Sequence, residues 1–195
     1  MIDPQRDFGR QAAAAEKKRR ADIKAGEDEY VKLARNSLEN YIKTKKVIRT
    51  PDILPPEMLD RRAGAFVSLK KDGQLRGCIG TISPVRENLA REIIENAVSA
   101  AVRDPRFSPV REDELDDLEY SVDVLDEPEH IDSPQQLDVK KYGVIVRKGG
   151  RTGLLLPNLE GVDTIEEQIS IAKQKAGIQP YEDVELSRFQ VVRHK

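Results

Sequence analysis

The hydrophobic and polar positions along the chain predict the same series of elements twice. Apolar residues that recur every three or four positions indicate helices, and strict alternation indicates strands with one buried face. The first series is a helix from Glu27, a hairpin that turns at Asp72-Gly73, a helix from Ser83-Pro84 to Pro105, and a strand around 119–124. The second series, which follows an acidic loop at 126–134, is a hairpin that turns at Gly149-Gly150, a helix opened by Thr164 and Glu167, and one strand over about 185–193. Two hairpin-helix-strand halves predict an α+β fold with antiparallel sheets flanked by helices.

The first 26 residues do not fit this pattern. They are rich in alanine, carry the basic run Lys17-Lys18-Arg19-Arg20, and have almost no apolar stripe. We therefore expect residues 1–26 to be an appended arm, helical or disordered, whose basic run is solvated rather than bound to phosphate. The domain then covers 27–195, with halves of about 27–125 and 126–195 that suggest a structural duplication.

The most distinctive stretch is Leu75 to Thr81, which holds the only cysteine of the chain between two glycines. A regular hairpin would pair position 69 with 76 and position 67 with 78, which places Arg76, Cys78 and Gly80 on one face with the apolar side chains of the first strand. Gly77 and Gly80 would leave room for another group to approach the thiol.

Two interpretations of Cys78 remain open at this point. A free cysteine is commonly a small core residue, and burial then raises the pKa of its thiol. If instead the thiol belongs to a site, Arg76 at roughly 7 Å along the strand would stabilise the thiolate and lower that pKa by about one unit. The second half suggests that Arg151 could line the opposite side of a cleft between the halves.

Composition limits the function further. With 33 basic and 35 acidic residues the formal net charge is −2, so we expect no sequence-independent DNA binding and no membrane attachment. One cysteine forms no internal disulfide, and the sequence has no apolar run near 18 residues and no charged-then-apolar leader, so a cytoplasmic protein is expected. Two histidines and one cysteine predict neither a metal site nor a bound cofactor, and His130 lies in the acidic loop, where a Ser-His-Asp triad is not expected.

Several runs in order give the chain a family resemblance. They are LRGCIGT, Asp104-Pro105-Arg106-Phe107, SVDVL with Pro128-Glu129, GVIV, Leu154-Leu155-Leu156-Pro157 and Lys175-Ala176-Gly177. Over roughly residues 28–193 the chain resembles the AMMECR family, although Tyr142 stands where many members carry a histidine. Its LLPNLEGVDTIEEQ run is most similar to the bacterial subgroup that accompanies a radical S-adenosylmethionine (SAM) enzyme and a Memo-like protein.

The resemblance implies a two-part α+β fold and, by analogy of fold, a link to nucleotide or RNA modification. We expect a component of such a system that binds a nucleotide-like or RNA substrate near LRGCIGT. A cysteine-dependent enzyme that uses Cys78 and a scaffold without catalysis are the alternatives, and the Asp104–Phe107 segment can also be explained as a helix stop whose polar groups satisfy the backbone and whose Phe107 fills the core. The candidate residues are Cys78 and Arg76 for catalysis, and Gly77, Gly80, Thr81, Asp104, Arg106 and Arg151 for ligand binding.

Overall fold

A computed structural model describes residues 4–195, with side chains from residue 11 onward. The helices are α1 (Pro4–Gly26), α2 (Glu29–Thr44), α3 (Pro56–Asp60), α4 (Leu89–Val102) and α5 (Ile165–Lys175). The strands are β1 (Ala65–Lys71), β2 (Gln74–Gly80), β3 (Leu118–Leu125), β4 (Glu129–Ile131), β5 (Gly143–Lys148), β6 (Arg151–Leu155), β7 (Glu185–Phe189) and β8 (Val191–His194). Two 3-10 helices cover Glu112–Asp117 and Pro134–Gln136.

The strands form two antiparallel sheets that exchange their last strands. The first sheet has the order β2-β1-β3-β8, and the second has the order β6-β5-β7-β4. Strand β4 follows β3 in the chain but pairs with β7, whereas β8 follows β7 but pairs with β3. The predicted α+β class with antiparallel sheets is confirmed, and each half depends on the other for one strand.

Each sheet packs one face on helices. The first core joins α2 and α4 to the face of the first sheet that carries Val67 and Leu69, both fully buried. The second core joins α5 to the face of the second sheet that carries Val144 and Val146. A smaller apolar cluster, which includes Phe66 and Phe189, connects the opposite faces of the two sheets. These opposite faces are called the back faces below.

Equivalent glycines bring each hairpin onto its helix. A Cβ added at Gly77 on β2 would collide with the carbonyl oxygen of Ala100 on α4, and one added at Gly153 on β6 would collide with that of Ala172 on α5. The hairpins therefore meet their helices at the same place in both halves. This likeness agrees with the repeated order of elements in the sequence.

The predicted register of the first hairpin is wrong beyond its turn. Lys70 pairs with Leu75 as expected, but a bulge follows, so that Leu69 pairs with Gly77 and Ser68 with Cys78. The extra residue is Arg76. Because one extra residue reverses the faces of all that follow, Cys78 lies on the back face and not beside Val67 and Leu69.

Three further predictions fail where distant contacts decide the structure. Helix α4 begins after Asn88 rather than at Ser83-Pro84, because the buried carboxylate of Glu92 accepts hydrogen bonds from the amides of Val85 and Arg86 at 2.9 and 3.0 Å. The acidic loop contains β4, and the predicted last strand breaks at Gln190 into two strands of different sheets.

The predicted arm is a helix whose basic run pairs with the domain. Arg19 donates to Glu119 at 2.7 Å, and Arg20 pairs with Asp117 and, at 2.9 Å, with Asp72. The expectation of a solvated basic run is therefore wrong for these two arginines. For residues 1–3, and for the side chains of 4–10, the prediction of an arm lies outside the described residues.

Candidate functional site

Cys78 is held by its backbone at the outer edge of the first sheet. Its amide donates to Asp104 Oδ2 at 2.9 Å, and its carbonyl oxygen accepts from the Arg106 guanidinium at 3.3 Å. Asp104 also accepts from the amide and guanidinium of Arg106. An edge strand leaves such backbone groups unpaired. The segment after α4 therefore satisfies the edge of β2, as the structural explanation of Asp104 and Arg106 predicts, whereas Phe107 is only half-buried and lies outside the buried core clusters.

The side chain of Cys78 begins a polar row on the back face of the first sheet. Cys78 pairs with Ser68, which pairs in turn with Ser121, so the three side chains share one face across β2, β1 and β3. Ser68 Oγ donates to the sulfur at 3.2 Å. All three residues are half-buried, so this polar row is reachable from solvent.

A neighbouring row carries a buried ion pair. Asp123, which pairs with Phe66 across the sheet, is only 2% exposed and accepts two hydrogen bonds from Arg193 at 2.7 and 2.8 Å. The carboxylate holds the pKa of Arg193 above its ordinary value. The ion pair lies next to the interface between the sheets, because Phe66, the neighbour of Asp123 in the sheet, packs against the apolar cluster there.

The surroundings of the thiol keep it protonated. Burial raises the pKa of Cys78 above its ordinary value of 9.0, and the negative charges of Asp123 and Asp104 act in the same direction. The hydrogen bond from Ser68 and the positive charge of Arg106 oppose this shift without reversing it. A thiol of this kind is a weak nucleophile at neutral pH.

Lys175, at the end of α5, brings the second half to the thiol. Desolvation lowers the pKa of its ammonium, the positive charge of Arg106 lowers it further, and Cys78 acts in the opposite direction. The residue is exposed, so a ligand can reach its side chain. Within residues 11–195, Lys175 has no carboxylate partner. The cluster of Arg106, Arg193 and Lys175 against Asp104 and Asp123 thus carries one net positive charge.

Arg76 does not lie beside the thiol. Its guanidinium donates to both carboxylate oxygens of Glu114, at 3.1 and 3.0 Å, and to the carbonyl oxygen of Ser108 at 2.9 Å. Glu114 responds with a pKa lowered to about 2, mainly through this hydrogen bond. The expected stabilisation of a thiolate by Arg76 is therefore not present, and its contacts anchor the 3-10 helix before β3.

The two glycines and Thr81 make contacts within the protein. Gly77 faces the carbonyl of Ala100, and an added Cβ at Gly80 would meet the ring of Phe66. The space over the two glycines is therefore filled by Ala100 and Phe66, and the glycines are not what opens the thiol to another group. Thr81 donates to the buried carboxylate of Glu92 at 2.7 Å.

Arg151 lies apart from these residues. It donates to Glu182 at 2.7 Å and to the carbonyl oxygen of Gly177 at 2.9 Å, both in the second half. Its partner carboxylate has a pKa lowered to about 2 through that hydrogen bond. The structure thus brings together Cys78, Asp104 and Arg106 of the predicted site and separates Arg76 and Arg151 from it.

Neither histidine is among the groups that act on the thiol. His194 Nδ1 lies 2.6 Å from Asp28 Oδ2 and its ring stacks on Tyr30, while His130 lies 3.4 Å from Asp132. In the part of the chain that the structure describes, no three His, Cys, Asp or Glu side chains converge as a metal site would require. Across residues 4–195, no helix combines the length and apolar character needed to span a membrane.

Sequence reasoning missed Lys175, Ser68 and Arg193 as members of this cluster. Lys175 lies in the Lys175-Ala176-Gly177 run on which the resemblance rests, and this was the one signal available for it. Ser68 and Arg193 could not be found, because their positions follow from the bulge in β2 and from the transfer of β8 to the first sheet.

Comparisons with known proteins point to one family. The AMMECR1 family model matches residues 31–194. A Thermotoga maritima protein is 57% identical over 172 residues, which cover 87% of this chain and 99% of that protein. A Clostridium acetobutylicum protein is also 57% identical, over 88% of this chain but only 37% of its own length. This chain therefore spans well under half of that relative.

The fold is also similar to that of a solved structure. The crystal structure of the uncharacterized protein PH0010 from Pyrococcus horikoshii superposes with a TM-score of 0.78 at 38% sequence identity, over 84% of this chain and 88% of the other. The family model, at residues 31–194, includes Cys78, Asp104, Arg106, Lys175 and Arg193. The chain belongs to the AMMECR1 family.

Proposed function

We propose that this protein is a binding module that holds a nucleotide-like or RNA substrate on the back face of the first sheet, beside Cys78. The observation that carries the proposal is Lys175, an ammonium without a carboxylate partner in the described residues, whose pKa is lowered by desolvation and by Arg106. A partly desolvated cation next to a second cation is stabilised by a bound anion. Phosphate is such an anion.

The hydroxyl groups of the polar row suit the rest of such a ligand. Ser68 and Ser121 each offer a donor and acceptor beside the cation cluster, and both are half-buried. Ribose hydroxyls and base edges are hydrogen-bonding groups of the same kind. A nucleotide would therefore place its phosphate at Lys175 and its sugar along the row.

The thiol environment favours binding over catalysis by Cys78. A thiol with a raised pKa and with no histidine among the groups that act on it lacks the base that nucleophilic cysteines use. The reaction would then be performed by partner proteins, and we propose a radical SAM enzyme and a Memo-like protein in that role. The resemblance of the LLPNLEGVDTIEEQ run supports this, and it fits a relative that carries the matched region within a much longer chain.

Equilibrium binding of adenosine 5′-monophosphate tests the site. We expect Lys175→Gln to weaken binding by about tenfold, because a charged hydrogen bond of roughly 1.4 kcal/mol or more is lost. Lys46→Gln, in the loop after α2, is the charge-matched control and should leave affinity unchanged. Equal affinities of wild type and Lys175→Gln would remove this site from the proposal.

The partner proposal has its own test. The protein is expressed with an affinity tag in its native host, and the co-purifying proteins are identified by mass spectrometry. We expect a radical SAM enzyme and a Memo-like protein among them. As a control, a known stable complex of the same host is purified under the same conditions. If that complex is recovered and neither protein co-purifies, the result contradicts the proposed system.

A further inference from the structure

A cavity of about 360 Å³ lies at the end of the polar row away from Cys78. Its walls include Ser121, which ends the row on β3, and Lys70 on the same face of β1. Asp22 and Ile23 of α1 close it from outside, and Lys195 lines the end next to β8. The volume falls in the range of small-molecule sites, roughly 300–1,000 Å³. Helix α1 thus forms one wall of a cavity that continues the candidate site.

The polar row and the cavity share Ser121, and we call the two together the groove. Cys78, Ser68 and Ser121 lie on three neighbouring strands, and β8 follows as the fourth. Adjacent strands are spaced about 4.8 Å apart, so the groove from β2 to β8 is roughly 14 Å long. A ligand that fills it needs a phosphate at one end and further groups well beyond the reach of a single sugar.

The charges of the cavity suit a second nucleotide. Lys70 and Lys195 are exposed and, among the residues with described side chains, have no carboxylate partner. Two carboxylates also face the cavity: Glu119 is neutralised by Arg19 at 2.7 Å, and Asp22 remains as an acceptor. Ammonium groups bind phosphate, a carboxylate accepts hydrogen bonds from base amino groups, and the side chain of Ile23 offers an apolar surface to a base.

We propose that this groove binds a single-stranded oligonucleotide, with one phosphate at Lys175 and Arg106 and a neighbouring nucleotide in the cavity under α1. The inference rests on the proposed function and names its substrate class. It also gives the N-terminal helix a role, since α1 supplies the outer wall for the second nucleotide. A mononucleotide fills only the end of the groove beside Cys78.

The test compares adenosine 5′-monophosphate with the 5′-phosphorylated trinucleotide of adenosine on the full chain. We expect the trinucleotide to bind at least about tenfold more tightly, since it adds charged contacts in the cavity. Ser121→Tyr places a bulky side chain between the two ends and should bring the ratio of the two affinities down toward one. Lys70→Gln, which leaves the strand unchanged in shape, should reduce the trinucleotide affinity alone.

Matched variants and outcomes separate this inference from the proposed function. Ser187→Tyr makes the same change at the equivalent position of the second sheet, and Lys46→Gln removes a lysine elsewhere; neither should change the ratio of the two affinities. Equal affinity for both ligands, or an advantage that survives Ser121→Tyr and Lys70→Gln, overturns the groove while the mononucleotide site stands. Failure of both ligands to bind overturns the proposed function itself, and equally tight binding of an acidic tripeptide overturns the oligonucleotide assignment.

Discussion

At the scale of single residues, Asp104 and Arg106 hold Cys78 by its peptide groups and leave its thiol to the back face. The carboxylate accepts from the amide of Cys78, and the guanidinium donates to its carbonyl oxygen. Arg106 thereby replaces Arg76 as the arginine that acts on the thiol. The arginine predicted for that role pairs with Glu114 on the other side of the bulge.

The first prediction concerns the pH dependence of Cys78 alkylation. Because burial raises the thiol pKa, the midpoint of native-state alkylation by iodoacetamide should lie above 9.0, the ordinary value. Arg106→Gln should move the midpoint further up, since a positive charge near the thiolate is lost. Arg76→Leu should leave it in place. A midpoint below 9.0, or one that responds to Arg76→Leu, would contradict the described environment.

The second prediction concerns the ion pair of Arg76 and Glu114. We expect Arg76→Leu to lower the free energy of unfolding at pH 7 by about 1–3 kcal/mol, the range for hydrogen bonds to charged groups. The folded-state pKa of Glu114 is lowered from 4.5 to about 2, so its contribution is present above pH 4.5 and is lost as the pH falls toward 2. The difference between variant and wild type should therefore shrink over that interval.

Chemical denaturation at several pH values measures this difference. Arg111→Leu is the control, because Arg111 pairs with Asp113 where both side chains are largely exposed, and it should leave the free energy of unfolding nearly unchanged. A loss for Arg76→Leu that stays constant from pH 7 to pH 2 would show that the ion pair is not its source.

At the scale of elements, ion pairs attach residues 11–26 of α1 to the domain, and Ile23 is the one apolar side chain of that range that is half-buried. Arg19, Arg20 and Lys24 pair with domain carboxylates, and the arginine and lysine side chains are 23–54% exposed. Exposed pairs of this kind contribute little each. Helix α1 can therefore line the groove without being required for the fold.

The third prediction follows for deletion of residues 1–26. The midpoint of thermal unfolding should fall by less than about 5 °C, which corresponds to roughly 1–2 kcal/mol for a domain of this size. Circular dichroism of the deleted and full chains measures it. A larger fall would show that α1 packs into the domain and is not merely held on its surface.

The sequence predicts elements where local chemistry decides and misses them where distant contacts do. The turn at Asp72-Gly73, both residues with positive φ, and the capping box of Thr164 are local and are found in the structure. The bulge at Arg76 is not a local feature. It accompanies the contact of Gly77 with the carbonyl oxygen of Ala100, which lies on a helix 23 residues later in the chain.

At the scale of the whole molecule, the exchange of strands places the site between the halves. Strand β8 completes the first sheet and brings Arg193 to the buried Asp123, while α5 brings Lys175 to Cys78. The cluster needs residues from both of the predicted halves, 27–125 and 126–195. The pattern of hydrophobic and polar residues could not predict this cluster, since the break at Gln190 that sends β8 to the first sheet has no marked turn signal.

The most direct test of the site is protection of Cys78, because the only cysteine of the chain lies within it. Alkylation is measured at pH 8, over times long enough for the small thiolate fraction to react, with increasing amounts of the 5′-phosphorylated trinucleotide. We predict that the rate falls in proportion to the fraction of protein bound and that Lys175→Gln shifts this curve to higher ligand concentration. Binding that leaves the alkylation rate of Cys78 unchanged would place the ligand elsewhere and contradict the proposed site.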